Sequence, residues 1–213
     1  RGHSYNIFLK YKDVPILYSP FFSFPLSKDR HTGFLLPSIG SSGESGTVVS
    51  TPYYFNISEN MDFTFTPTNY SGRGIMVDGQ FRYKTNYSNT EIELTHMNKD
   101  DVKGESRHAY SLRDDRVFKN TLMAGKNGEW DGSLITSSIN IGGISDLTYF
   151  DDFGNSVSRI GRTHITRQFS LDRVDYSKYG YLNTSVKATD YQLVKEELQE
   201  QYSVLPQARV EYS

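Results

Sequence analysis

In the segment MDFTFTPTNY, residues 61–70, the side chains alternate in kind. Met61, Phe63, Phe65 and Pro67 are apolar, and Asp62, Thr64, Thr66 and Thr68 between them are polar. A period of two is the signature of a β-strand with one apolar and one polar face. The same period returns in GIMVDGQFRYKT, residues 74–85, where Ile75, Val77, Phe81 and Tyr83 oppose Asp78, Gln80, Arg82 and Lys84. It returns again in SVLPQARVEY, residues 203–212, through Val204, Pro206, Ala208, Val210 and Tyr212. Shorter echoes set Ile92 and Leu94 against Glu91 and Glu93, and Phe169 and Leu171 against Gln168, Ser170 and Asp172. In residues 130–141 the phase changes once, near Leu134 and Ile135, as at a β-bulge. An all-β antiparallel chain follows, in one of two settings. In a soluble sandwich the apolar face meets a second sheet. In a membrane barrel it meets lipid while the polar face lines a lumen.

Composition leans toward the barrel. Only 36% of the residues are apolar and mean hydropathy is −0.57, so a large aliphatic core is not available. Aromatic residues reach 14%, with 16 Tyr and 13 Phe, which suits a wet interior flanked by aromatic girdles. Girdle positions are expected for Trp130 and for tyrosines near strand ends, such as Tyr70, Tyr87 and Tyr149. A secreted β-sheet module that binds glycans through its tyrosines has the same composition and remains the alternative. The net charge of −2 implies no attraction to nucleic acid. Without cysteine there is neither a disulfide scaffold nor a thiolate metal site in this segment. No run of about 18 apolar residues is present to make a transmembrane helix.

Polar breakers separate the strands: SSGESG at 41–46, NYSGRG at 69–74, NYSN at 86–89, NKDDVKG at 98–104, RDDR at 113–116 and KNGE at 126–129. Their spacing of about 12 to 15 residues exceeds that of sandwiches and leaves about ten to twelve strands long enough to cross a membrane. Residues 139–161 are expected to form a long loop. Residues 191–202 read either as a short helix or as a strand end running into a charged turn. Prolines concentrate near the start, at Pro15, Pro20, Pro25 and Pro37. Proline offers no ladder donor. Pro25 and Pro37 flank the turn SKDRHTG and would face each other across a first hairpin, giving it a weak seam.

Three ordered blocks carry a resemblance. The first, 14–40, contains Val14, Pro15, Tyr18, Pro20, Pro25, Gly33, Phe34, Leu35 and Pro37. The second, 51–83, contains Pro52, Tyr53, Tyr54, Asn56, Ile57, Asn60, Asp62, Thr64, Thr66 and Pro67, then Arg73, Gly74, Phe81, Arg82 and Tyr83. The third is SDLTYFDDFGN, 145–155. Together they resemble the LptD family of lipopolysaccharide-assembly proteins, once called organic solvent tolerance proteins. The resemblance implies a very large transmembrane β-barrel in the outer membrane of a Gram-negative bacterium, with a periplasmic β-jellyroll before it. Residues 1–13 would end the jellyroll, and residues 14–213 would form the first part of the barrel. It implies delivery of lipopolysaccharide to the outer leaflet through a lumen and a lateral gate, without catalysis. The implied partners are lipopolysaccharide, the lipoprotein plug LptE, outer-membrane lipids and, through the missing jellyroll, the periplasmic bridge LptA. By position, Pro20, Pro25 and Pro37 would loosen the gate. Met61, Phe63, Phe65, Ile75, Val77, Phe81 and Tyr83 would face lipid; Asp62, Thr64, Thr66, Asp78, Gln80 and Arg82 would face the lumen. The chain lacks the family's cysteines, most of its jellyroll and many of its strands, so a piece of a longer protein is expected.

Other chemistry is weakly signalled. The five histidines, His3, His31, His96, His108 and His164, share no metal-ligand spacing. Asp146, Asp151 and Asp152 offer carboxylates to a divalent cation but lack the spacing of a calcium loop, so a solvated turn is the simpler reading. Asp100 and Asp101 beside Lys99 and Lys103, and Asp114 and Asp115 between Arg113 and Arg116, read as charged loop tips. A hydrolase would need His96 or His108 paired with Asp100 or Asp114, and no G-x-S-x-G elbow is present. No cofactor and no catalytic residue is expected.

Overall fold

The computed structural model describes residues 2–11, 14–24, 30–43, 45–119, 132–154, 164–177, 179–194 and 202–212. Among them are fourteen strands and one short helix. The strands are β1 (Gly2–Tyr11), β2 (Val14–Phe24), β3 (Gly33–Phe34), β4 (Ser38–Ser42), β5 (Gly46–Ser50), β6 (Tyr53–Ser58), β7 (Met61–Tyr70) and β8 (Gly74–Lys84). They continue as β9 (Ser88–Met97), β10 (Arg107–Lys119), β11 (Gly132–Ile144), β12 (His164–Ser177), β13 (Gly180–Leu193) and β14 (Val204–Tyr212), with α1 (Tyr149–Phe153) between β11 and β12. β1 and β2 form a separate antiparallel hairpin, and the other twelve form one sheet. From β7 to β14 each strand pairs antiparallel with the next, so the sheet is a meander of all-β antiparallel type. β14 lies at one edge, with all nine residues exposed.

The registers separate the two faces. Met61 lies opposite Tyr83, Phe63 opposite Phe81, and Pro67 opposite Val77. Ile92 continues this row from Phe81. On the other face Asp62 lies opposite Arg82, Thr64 opposite Gln80, and Thr66 opposite Asp78. Every residue expected to be lipid-facing therefore shares one face, and every residue expected to be lumen-facing shares the other. The apolar face is broadly exposed: Ile75 is 63% accessible, Leu94 53% and Phe65 39%. An extended apolar surface of this kind marks a contact with a further apolar body, protein or membrane. The polar face is partly covered by α1, whose Tyr149, Phe150 and Phe153 form the only core cluster among the described residues, with Met76, Met97, Ala109, Ile144, Ile165 and Val194.

Two strands are interrupted at prolines. Pro37 falls between β3 and β4, and Pro52 between β5 and β6. β3 pairs with β6 and β4 with β5, while the Leu35 N–H donates to the Pro52 carbonyl at the break (2.9 Å). From Val48 to Asn56, β5 and β6 keep one register with β7 across the break; it shifts only between Asn56 and Ser58. The interruption thus weakens the outermost pairing alone. Counting each broken strand once brings fourteen to twelve, the upper end of the expected number.

Several expectations change. Residues 134–144 hold continuous register with β10 and residues 132–140 with β12, so there is no bulge at Leu134 and Ile135. Leu134 sits on the polar face, opposite Val174. An apolar pair inside a polar face mimics a phase shift in sequence. The long loop begins at Ser145 rather than at 139, because Ile139–Ile144 complete β11. RDDR at 113–116 is not a turn but lies inside β10. Alternation sends its four charges to opposite faces, where Arg116 pairs with Asp114 (2.7 Å) and Arg113 with Asp115 (2.9 Å). Tyr149 is fully buried and Tyr70 packs edge-on against Phe153 at 5.3 Å, so neither is a girdle residue. Tyr191, Gln192 and Leu193 finish β13. Residues 195–201, KNGE at 126–129 and Trp130 lie outside the described residues.

Candidate functional site: two arginine–aspartate clusters on the polar face

The first cluster is at the α1 end. Four connections meet there: the β4–β5 turn, the β7–β8 turn, the β9–β10 loop and the segment after β11. Gly74, at φ +115°, takes a backbone conformation that side chains with a Cβ rarely adopt, and it lets the chain reverse immediately after Arg73. Arg73 donates from Nη1 to Asp100 (2.8 Å), from Nη2 to Asp152 (2.6 Å) and from Nε to the Ser45 hydroxyl (3.1 Å). Arg107, the first residue of β10, donates from Nη1 to both Asp100 (3.0 Å) and Asp152 (2.9 Å), and from Nη2 to Asp146 (2.9 Å). The Ser45 hydroxyl in turn donates to the Asp152 carbonyl (3.2 Å). The Arg107 guanidinium lies 4.9 Å from the Phe153 ring centroid and that of Arg73 lies 5.4 Å away, which adds cation–π attraction in a desolvated place. Below them the Tyr149 and Thr95 hydroxyls are hydrogen-bonded.

These ions are almost dry. The side chains of Arg73 and Arg107 are 3% and 2% accessible, and Asp100 is fully buried. Buried ions persist only where partners satisfy them, and here each carboxylate meets a guanidinium. Burial pushes the Asp100 carboxyl up, but the Val102 N–H, Arg73 and Arg107 outweigh it and hold its pKa below the ordinary carboxylate value. Asp146 is likewise depressed: burial opposes, and Ser145, Thr148 and Arg107 prevail. Lys103 stands 3.9 Å from Asp152 and completes the charge balance, three cations to three anions. The cation reading of Asp146, Asp151 and Asp152 loses its donors, since arginines take the oxygens of Asp146 and Asp152. Asp100 is at a loop tip as expected, but buried rather than solvated.

The second cluster lies at the opposite end, beside the short β6–β7 and β8–β9 turns. Asp62, 4% accessible, accepts from Arg82 Nε (2.8 Å) and Nη2 (3.2 Å), from Arg30 Nη1 (2.8 Å) and from the Tyr54 hydroxyl (3.2 Å). Arg30 also donates to the Glu59 carbonyl. The Arg30 and Arg82 side chains are 46% and 49% accessible. They border an open cleft of about 390 Å³ with Glu59, Lys84 and Glu91. A further cleft of about 420 Å³ runs under Phe153, lined by Thr64, Thr66, Asp78, Gln80 and Glu93. Gln80 donates to both Glu91 (3.1 Å) and Glu93 (2.9 Å).

No catalytic constellation assembles among the described residues. His96 lies opposite His108 in the ladder, while Asp100 is held by the arginines and Asp114 by Arg116 and Thr90. Of the expected gate prolines, Pro37 sits at the strand break. Pro20 lies in β2, opposite Asn6; β2 pairs with β1 and β3–β4 with β6 and β5, so the hairpin expected across SKDRHTG does not form among the described residues. Pro25 lies outside the described residues. The proline that the fold brings to Pro37's break is Pro52, which the sequence showed only as a motif member. Arg73, Asp146 and Asp152 also sat in quoted motifs or loops, but Asp100 and Arg107 carried no signal that would join them.

A family model described as LptD protein matches residues 4–198. The chain is 31% identical over 212 residues to the LPS-assembly protein LptD of Idiomarina loihiensis, covering 100% of this chain and 26% of that protein. It is 34% identical over 191 residues to the LPS-assembly protein LptD of Chromobacterium violaceum, covering 90% and 22%. To that of Nitrosomonas eutropha it is 33% identical over 196 residues, covering 92% and 25%. The chain spans about a quarter of the length of these curated relatives. With the family model covering most of its residues, the chain belongs to the LptD family, and its open antiparallel sheet is a segment of an outer-membrane β-barrel.

Proposed function

We propose that this segment is the first part of the barrel of a lipopolysaccharide-assembly protein, which inserts lipopolysaccharide into the outer leaflet of a Gram-negative outer membrane. The observation that carries the reading is the match, along the whole chain, to relatives named LPS-assembly protein. The two faces support it. Met61, Phe63, Phe65, Ile75, Val77, Phe81 and Tyr83 face lipid in this reading. Asp62, Thr64, Thr66, Asp78, Gln80 and Arg82 line the path of a sugar-bearing amphiphile. A soluble glycan-binding module has no use for so wide an apolar surface. The α1 end faces the cell exterior, since outer-membrane barrels keep short turns on the periplasmic side and longer loops outside. Residues 1–13 belong to the end of a periplasmic jellyroll, and β2 (Val14–Phe24) pairs with β1 there rather than with the twelve-stranded sheet. LptE fills the lumen of the complete barrel, and LptA delivers the substrate to the jellyroll. The lateral gate uses the pairing weakened at Pro37, with Pro52 as its partner in the break. The process is transport without catalysis.

The test is depletion of the full-length parent in its own cell, with surface lipopolysaccharide measured by labelling intact cells. Loss of newly made surface lipopolysaccharide, restored by the parent gene, is expected. Unchanged surface lipopolysaccharide after full depletion contradicts the assignment.

A further inference from the structure

The cluster at the short-turn end has unused donors, and this separates it from a purely structural ion pair. We propose that Arg30, Arg82 and Lys84 form a docking site for a phosphate group carried by the glycolipid headgroup on its way along the polar face; this rests on the lipopolysaccharide reading above.

Asp62 contributes one negative charge to two guanidiniums, and it is already saturated by Arg82, Arg30 and Tyr54. A guanidinium offers five N–H donors in a fixed plane. Arg82 directs Nε and Nη2 at Asp62, which leaves its Nη1 hydrogens without a hydrogen-bond partner among the described residues. Arg30 directs its Nη1 and Nη2 groups at Asp62 and the Glu59 carbonyl, which leaves its Nε–H. Buried Asp62 thus holds the pair in place while about half of each cation stays in solvent. The Lys84 ammonium, on the same face two residues from Arg82, has no ion-pair or hydrogen-bond partner among the described residues, although it lines the cleft. The opposing charges are Glu59 at the rim and Glu91, which is 8% accessible and accepts from Gln80 along the wall. Two pre-positioned planar forks beside an ammonium with no partner among the described residues match a phosphate, which takes paired N–H donors from arginine and a point charge from lysine. The site lies at the end where, with α1 outward, the substrate enters.

The arrangement at the α1 end shows what a site without this capacity looks like. There both guanidiniums are enclosed, so no ligand can enter without breaking an ion pair, whereas at the short-turn cleft the charges also balance, three to three, but the arginines stand half exposed.

The experiment uses the full-length parent purified with its copurifying partners in detergent. Equilibrium binding is measured for intact lipopolysaccharide and for the same material treated with phosphatase. The wild type is expected to prefer the phosphorylated form roughly tenfold, the equivalent of about 1.4 kcal/mol. Arg82→Gln should abolish the preference. Lys84→Gln, which removes no structural contact among the described residues, should lower it severalfold and decides the matter if Arg82→Gln does not fold. Displacement by millimolar inorganic phosphate assigns recognition to the phosphate alone; no displacement, with loss of preference in the variants, assigns it to phosphate presented on its sugar. Equal binding of both forms by the wild type, or an unchanged preference in Lys84→Gln, overturns the docking site while leaving the transport reading intact. Failure of the wild type to bind either form overturns the transport reading instead.

Discussion

At the α1 end of the polar face two arginines meet three aspartates almost without water, and at the other end two arginines share one aspartate and stand half in solvent. The residue types are the same and the consequences differ. Enclosure turns the first cluster into a knot that ties four connections together, because any lost partner strands a charge in a low-dielectric place. Exposure leaves the second with cations whose contribution to folding is screened and whose donors remain available. What decides between a structural and a binding role is therefore the solvent around the guanidiniums rather than the pairing itself.

The largest effect is expected at the enclosed end. Arg107→Met leaves Asp100, Asp146 and Asp152 short of a counter-ion and should cost about 3–5 kcal/mol. Urea unfolding of the full-length barrel measures it; a loss under about 1 kcal/mol would put the two ends in the same class. The next effect tests the faces on which both clusters depend. Phe63→Arg or Phe65→Arg should cost about 2–4 kcal/mol near the bilayer midplane, and Thr64→Arg or Thr66→Arg little. Equal costs would mean that the faces do not meet different media. Asp62→Asn removes charge from a cluster whose cations can turn to water, and about 1–2 kcal/mol is expected by the same urea assay.

Much of this organisation was legible in sequence. The alternation at 61–70 and 74–85 names the two faces residue by residue, because a strand's side chains follow their own local period. RDDR at 113–116 was misleading for the same reason in reverse. Charge density reads as a turn, yet in β10 the four residues divide into one ion pair on each face. Leu134 suggested a bulge because an apolar residue on a polar face is indistinguishable in sequence from a shifted register. The knot at the α1 end was out of reach. Ser45, Arg73, Asp100, Arg107 and Asp152 come from four connections spread over more than a hundred residues, and only the sheet order brings them together. The short helix α1 is held by its burial of Tyr149, Phe150 and Phe153, which is tertiary rather than local.

The smallest expected effect is one of pH. Asp100 and Asp146 have pKa values held below the ordinary carboxylate range. Their stabilisation is therefore complete above the unfolded-state value of about 3.9 and is lost as pH falls through the lower folded-state values. Protease cleavage within 145–153 of the full-length protein should stay slow at neutral pH and rise only in strong acid. An increase between pH 7 and 5 would show that other groups hold the loop.

The most direct test of the whole account is lipid contact along β7. The segment has no cysteine, so single cysteines at 62 to 66 can carry a fluorophore in the full-length protein, with any cysteines outside the segment replaced. The protein is then folded into bilayers that contain brominated lipid. Quenching is expected at 63 and 65, with little at 62, 64 and 66. Quenching without alternation, or strongest at the even positions, would contradict the assignment of lipid to one face and of both arginine clusters to the other.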